Sequence, residues 1–521
     1  MKIQIKNITV GVEQNQEKSL IKHIEKLGIK KEFIGNITYL KRSIDSRSKR
    51  DIKLIYNIEV SLNKNIDISK FENITQSKEE KTVFRKSRNL EGNIAVIGTG
   101  PAGLFAALRL CELGYKPVIF ERGATVPQRD KDIENFYKLS VLNENSNIQF
   151  GEGGAGTYSD GKLTTRVRSE YMDYVFETFV KYGAQEEILY HYKPHIGTDI
   201  LKNVVQNMRN EIIKLGGEFR FDSQVTDFRI ISDEIKAIEI NKNEWLEFDY
   251  VVLGIGHSAR DTYRKLYDRG VFMENKDFAI GVRIEHPRED IDKMQYGDLA
   301  GHPHLGAATY NYTFNNTVEK RGIFSFCMCP GGEIVNASSV EGHSLVNGMS
   351  YSTRDGEFSN SAVVVAVRKD DFGSGVFDGM KYQENIERKA FETRGTHGAL
   401  YQNLSDFINN KKSVDSIKTS YGMGLTSVNF NEFFPNVIKD NMQLAFKEWS
   451  RNKYFVSNRA NLIGPETRTS APIRITRDGQ GISLNIKNLF PIGEGAGYAG
   501  GIVSAAIDGV KIIDKNFAVE E

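Results

Sequence analysis

The most pointed chemistry in this sequence is carried by glycines. Gly98-Thr99-Gly100-Pro101-Ala102-Gly103 directly follows Ile94-Ala95-Val96-Ile97, an apolar, β-branched run. Such a run reads as a buried parallel strand. Leu104, Leu108 and Cys111 recur at helical spacing behind it, and Gly114 stops the helix. In this setting Gly98 permits a tight turn, Gly100 lets the backbone approach a pyrophosphate, and Gly103 allows close helix–strand packing. The helix N-terminus adds free N–H groups and the positive end of a dipole. The next strand, Val118-Ile119-Phe120, runs into Glu121, an acceptor for ribose hydroxyls at the expected distance along the chain. A glycine turn without a ligand is the alternative. Strand, helix and acid together argue against it.

Two further segments have the same character. Leu489-Phe490-Pro491-Ile492-Gly493-Glu494 ends a strand in an acid, and Gly500-Gly501 opens a helix through Ile502, Ala506 and Val510. Val251-Val252-Leu253 runs into Gly254-Ile255-Gly256, which suits a crossing beside a dinucleotide. The loop Gly151-Glu152-Gly153-Gly154-Ala155-Gly156-Thr157-Tyr158-Ser159-Asp160-Gly161-Lys162-Leu163 can offer backbone N–H groups to anionic oxygens, with Lys162 and Arg166 adding charge. Arg122 and Val225 belong to the same expected ligand set. Gly254-Ile255-Gly256-His257-Ser258-Ala259 lacks the third glycine and no helix is expected to open there, so a second dinucleotide domain is not expected.

Other reactive residues read more blandly. Cys327 and Cys329 form a C-x-C, taken as small apolar side chains on one face of a strand, with a redox pair as the alternative. His257 is a candidate to face a bound dinucleotide, or else to hydrogen-bond backbone, and Glu466, Arg468 and Arg474 are candidates to face a substrate, Arg468 as a carboxylate clamp, or else to form structural ion pairs. Lys41 to Arg50 carries five positive charges and one negative beside Tyr39 and Tyr56. It reads as a solvated hairpin, with RNA phosphates as the alternative partner.

These motifs need elements to hold them. The 521 residues exceed one core. Residues 1–88 read as a small α+β domain with a polar linker from Gln76 to Gly92. Residues 89–275 and 460–521 read as two parts of an α/β Rossmann-type domain, with 276–459 inserted as an α+β substrate domain. Thr198 or Asp199 is expected to cap a helix through Leu215. The net charge of +1 gives no global field toward nucleic acid or membrane. Three cysteines, no apolar run of eighteen residues, no signal-peptide core and no lipidation motif lead to the expectation of a reducing, cytoplasmic setting.

The three glycine motifs together resemble the glutathione-reductase-like superfamily of FAD enzymes. Glu494 stands where most of that superfamily carry Asp, one methylene shorter. The Gly151–Leu163 loop, Phe326-Cys327-Met328-Cys329-Pro330-Gly331-Gly332 and Gly464-Pro465-Glu466-Thr467-Arg468-Thr469-Ser470 resemble more closely the bacterial FAD-dependent, or NAD(FAD)-utilising, dehydrogenases. That resemblance covers nearly the whole chain, including Lys41-Arg42-Ser43-Ile44-Asp45. It implies an FAD-binding oxidoreductase acting on a small molecule, with any NAD(P)H docking transiently as reductant. An FAD-dependent RNA-modifying enzyme and a flavin-binding redox sensor are the other readings. The sequence specifies no oligomeric state.

Overall fold

The computed structural model describes residues 1–68, 74–77 and 86–519. Part of the expected linker, residues 78–85, lies outside the described residues.

The fold is α/β, and its centre is a five-stranded parallel sheet. The strands run in the order Leu489–Pro491, Tyr250–Leu253, Ile94–Ile97, Val118–Phe120, Glu218–Arg220. Ile94–Ile97 and Tyr250–Leu253 are apolar because helices and loops cover both faces. Two helices of widely separated sequence, Pro101–Glu112 and Ile502–Phe517, pack on one another. Gly509 makes that approach possible, since a Cβ there would collide with the Ala102 carbonyl. Arg109 and Asp514 lock the pair, with Nε donating to Oδ1 at 2.7 Å in a buried setting.

The helix Thr198–Lys214 starts differently from expectation. Gly197 is its N-cap, with no side-chain cap. Thr198 instead donates to the Thr157 carbonyl, and Asp199 accepts from Ser352. Both side chains tie loops together. A second difference follows Gly256, where a helix does open, Arg260–Asp268.

The second large body is a seven-stranded sheet in the order Thr313–Asn316, Arg321–Cys329, Phe358–Val367, Phe278–Pro287, Asn461–Glu466, Ala399–Asn403, Leu425–Ser427. The helix Asn436–Trp449 and its aromatic neighbours cover it. Asn461–Glu466 pairs inside this sheet, between Phe278–Pro287 and Ala399–Asn403. Residues 461–466, which lie just past the expected boundary at 459/460, are thus a strand of this sheet.

The N-terminal residues form a four-stranded antiparallel sheet, with Ile34–Asp45 at one edge and Ile74–Gln76 at the other. The helix Gln16–Lys26 buries Leu20 and Ile24 on it. Asn15 caps this helix by accepting from the Lys18 N–H at 3.0 Å.

Candidate functional site

The parallel sheet ends in loops, and these loops frame a cleft of about 1240 Å³. That exceeds the ~300–1,000 Å³ common for small-ligand pockets. One wall is backbone. Gly98 has φ +96°, and a Cβ there would strike the Gly254 carbonyl. A Cβ on Gly154 would sit 2.9 Å from the Gly100 Cα. The glycine segments therefore approach so closely that no side chain fits at Gly98 or Gly154.

Most of the expected residues meet here. Gly98, Gly100, Pro101, Ala102, Glu121 and Arg122 line the cleft. So do Gly154, Gly156, Lys162 and Leu163 from the loop, with Val225 and Gly254. Glu494, Gly500, Gly501 and Ile502 close the far end. Four expected residues stand behind the wall. Gly103 packs its helix on the strand, since a Cβ would collide with the Gly98 carbonyl. Gly493 lies against Ala102, and Gly153 against Thr157. Thr157 itself donates to the Glu152 carbonyl at 3.3 Å.

Glu121 lines the cleft and already accepts from four protein donors. Thr99 donates to its Oε2 from N–H (3.0 Å) and hydroxyl (2.7 Å), and the Gly123 and Gly151 N–H groups donate to Oε1 at 3.0 Å each. Four donors match the roughly four lone pairs of a carboxylate. Glu121 thus clasps the glycine loops, and a ribose hydroxyl would have to share its oxygens. Arg122 pairs with Asp261 at 3.0 Å and covers the Phe150 ring.

The opposite wall is built of side chains. Glu466 lines it, and its carboxylate pairs with the fully buried Arg283 at 2.8 Å. Burial pushes the Glu466 carboxyl up to about 7 against the pull of Arg283. Burial likewise raises Glu494 to about 7, with Lys276 opposing. His257 Nδ1 lies 3.8 Å from Glu494, and burial with Arg468 and Arg260 lowers the imidazole to about 3, so it is neutral. Arg468 reaches the cleft but is not a free clamp. It and Arg260 both engage the buried Glu387, at 2.9 and 2.8 Å. Arg474 is away from the cleft wall, pairing with Glu274.

Whether a dinucleotide fits can be asked of the orphaned groups. Among the described residues, Gln149 Nε2 and His257 Nε2 are buried without a hydrogen-bond partner, and both residues line the cleft. Buried polar atoms rarely stay unpaired. A polar ligand held against the glycine backbone would satisfy them, so the residues present fit such a group.

Sequence reasoning missed the N-terminal contribution. Thr38, Tyr39 and Leu40, on an edge strand, line the mouth. The basic stretch after them docks on the body. Arg42 exchanges backbone hydrogen bonds with Tyr190 and Tyr192, and its guanidinium donates to the His304 carbonyl at 2.8 Å. Lys41 sits over the Tyr192 ring at 4.8 Å, and Arg47 pairs with Asp45. Lys41 and Arg42 thus join the hairpin to the body, while Arg47, Lys49 and Arg50 are exposed, as a solvated hairpin requires. Reading Tyr39 beside the basic run as one docking strip would have found this joint.

A protein of Clostridium beijerinckii, described as uncharacterised, is 42% identical over 524 residues, which span 99% of this chain and 98% of that one. The chain belongs to its family. Residues 277–469 match the family model described as FAD-dependent protein, C-terminal domain-like, and residues 2–61 match a domain of unknown function, DUF8436. Among solved structures the chain is similar to CtdE in complex with FAD (12% identical, 81% of this chain and 82% of that one, TM-score 0.31) and to the flavin-dependent brominase Bmp2 (10%, 81% and 77%, TM-score 0.37). Among the described residues no group of His, Cys, Asp and Glu could hold a metal ion, and no helix is long and apolar enough to cross a membrane.

Proposed function

We propose that this chain is an FAD-dependent oxidoreductase acting on a small molecule, in the manner of a dehydrogenase or reductase. The observation that carries the reading is the convergence of three glycine segments, each following a strand of one parallel sheet, on a single large cleft. The match of residues 277–469 to an FAD-dependent family supports it. Gly98, Gly100, Pro101 and Ala102, with Arg122 and Val225, would hold the ADP half. Gly154, Gly156, Lys162 and Leu163 would run along the pyrophosphate or flavin. Gly254, Glu494, Gly500, Gly501 and Ile502 would hold the ribityl and flavin half. When bound, FAD supplies hydride or electron transfer at flavin N5. The protein's part is to bind, orient and exclude water. Glu494 and Glu466, with carboxyls near neutrality, can hold or release a proton in the cleft at physiological pH.

The test is the visible spectrum of the purified protein, before and after adding FAD, followed by anaerobic titration with NADH and NADPH. A retained flavin that bleaches with a nicotinamide or a small-molecule donor is the expected result. No flavin after reconstitution would remove the reading.

A further inference from the structure

The strand Arg321–Cys329 shifts register against Phe358–Val367 between Phe326 and Cys329. Cys327 sits in this bulge at φ +45°, a backbone region that side chains other than glycine rarely occupy. The distortion is pinned from behind. Arg283 donates from Nη1 to the Cys327 carbonyl at 3.1 Å and to Asn360 Oδ1 at 2.7 Å. Strain of this kind persists where the surroundings over-determine it, and it concentrates at functional positions. Here its effect is to separate two cysteines that a flat strand would treat alike. Cys327 lines the cleft, and Cys329 is fully buried beside it. The Cys329 Sγ lies 3.5 Å from the Cys327 carbonyl oxygen and 3.7 Å from Arg283 Nη1.

The groups around this pair are charged. Lys162 and Arg354 share one carboxylate, Asp160, at 2.8 and 2.7 Å. Arg283 has Glu466, whose carboxyl titrates near 7. Glu494, in the same cleft, also titrates near 7. Lys162, Arg354 and Arg283 thus place three guanidinium or ammonium groups around the pair, each tied to a carboxylate.

We propose that Cys327 is a nucleophilic thiolate open to the cleft, that Cys329 is its resolving thiol, and that together they reduce a low-molecular-weight disulfide. The Cys327 thiolate attacks one sulfur of the disulfide R–S–S–R. A bond forms between Cys327 and that sulfur, and R–S⁻ leaves. Cys329 then attacks Cys327 Sγ, giving the Cys327–Cys329 disulfide and R–SH, with the Cys329 proton leaving on the second product. The protein dithiol is oxidised by two electrons, and the substrate disulfide is reduced by two. The local electrostatics agree. A hydrogen bond from Cys329, then Lys162 and Arg283, hold the Cys327 thiol well below the usual cysteine range against the effect of burial, while burial raises Cys329. This is the division between attacking and resolving thiols that exchange requires.

This inference names a reacting pair in the cleft of the proposed function, and its test is independent of flavin. The full-length protein is alkylated with iodoacetamide from pH 6 to pH 8, and the modified residue is located by peptide mass spectrometry. Cys327 should be labelled first, with a rate changing less than about 3-fold. An unperturbed thiol of pKa ~8.5 would change roughly 75-fold. Oxidised glutathione should convert the wild type to the internal disulfide and leave a mixed disulfide on Cys327 in Cys329→Ser. An ordinary pH profile, or no labelling at Cys327, would overturn the proposal. A stable mixed disulfide in the wild type would overturn the role of Cys329. A missing flavin spectrum with a flat thiol profile would sink the flavin reading alone. A flavin-bearing protein with an ordinary thiol profile would do the reverse.

Discussion

The two walls of the cleft are made of different material. One is backbone, from Gly98 to Ala102, Gly154 and Gly254, with a side chain excluded by contact at Gly98 and Gly154. The other is side chain, with Glu466 and Cys327 held from behind by the buried Arg283. A backbone wall tolerates almost no added atom but carries no titrating group. A side-chain wall tolerates changes of shape but depends on every charge keeping its partner. The first suits a constant ligand, and the second sets chemistry.

Mutation can break that contrast. The largest effect should come from Glu387→Ala, which leaves Arg260 and Arg468 buried without their carboxylate. A loss of about 3–5 kcal/mol in urea unfolding is expected. Next is the pH response of Glu494. Its folded carboxyl titrates at about 7, above the ordinary 4.5, so it binds its proton more tightly when folded. The stability it contributes is full below about 4.5 and falls as pH rises through about 7. A decline of about 3 kcal/mol at most is expected across that window. Glu494→Gln should flatten the curve, and an unchanged curve would show that Glu494 does not carry this pH dependence.

The backbone wall gives the third test. Gly98→Ala adds a Cβ where φ is +96° and the Gly254 carbonyl is in contact. A cost of about 1–3 kcal/mol is expected, with flavin content reduced at least tenfold by absorbance. The smallest effect belongs to the N-terminal joint. Lys41→Ala loses the contact over Tyr192 and should cost under about 1 kcal/mol in thermal unfolding.

The sequence made the two walls unequally legible. Glycines after apolar strands announce a backbone wall, and those segments do converge. The side-chain wall is assembled from distant partners. Nothing local to Arg468 reveals Glu387, 81 positions away. Glu121 looked like a ribose acceptor because its spacing fits, but spacing does not count the donors already aimed at it. The strand Asn461–Glu466 is not announced by its residues, because Gly464 and Pro465 weaken any strand signal. The C-x-C was read as flat because a bulge is set by the partner strand, here Phe358–Val367.

The pairing of the helices Pro101–Glu112 and Ile502–Phe517 also fixes a timetable. Arg109 and Asp514 are 405 residues apart. At about 5–20 residues per second, a ribosome needs roughly 20–80 s between making the two. The edge strand Leu489–Pro491 and the helix Ile502–Phe517 emerge only after every strand of the seven-stranded sheet. The glycine loop therefore waits, half-built and exposed, while the whole inserted sheet is synthesised and folded. The cleft can close only once those two segments have emerged, so a nascent chain that stops before them lacks one side of it.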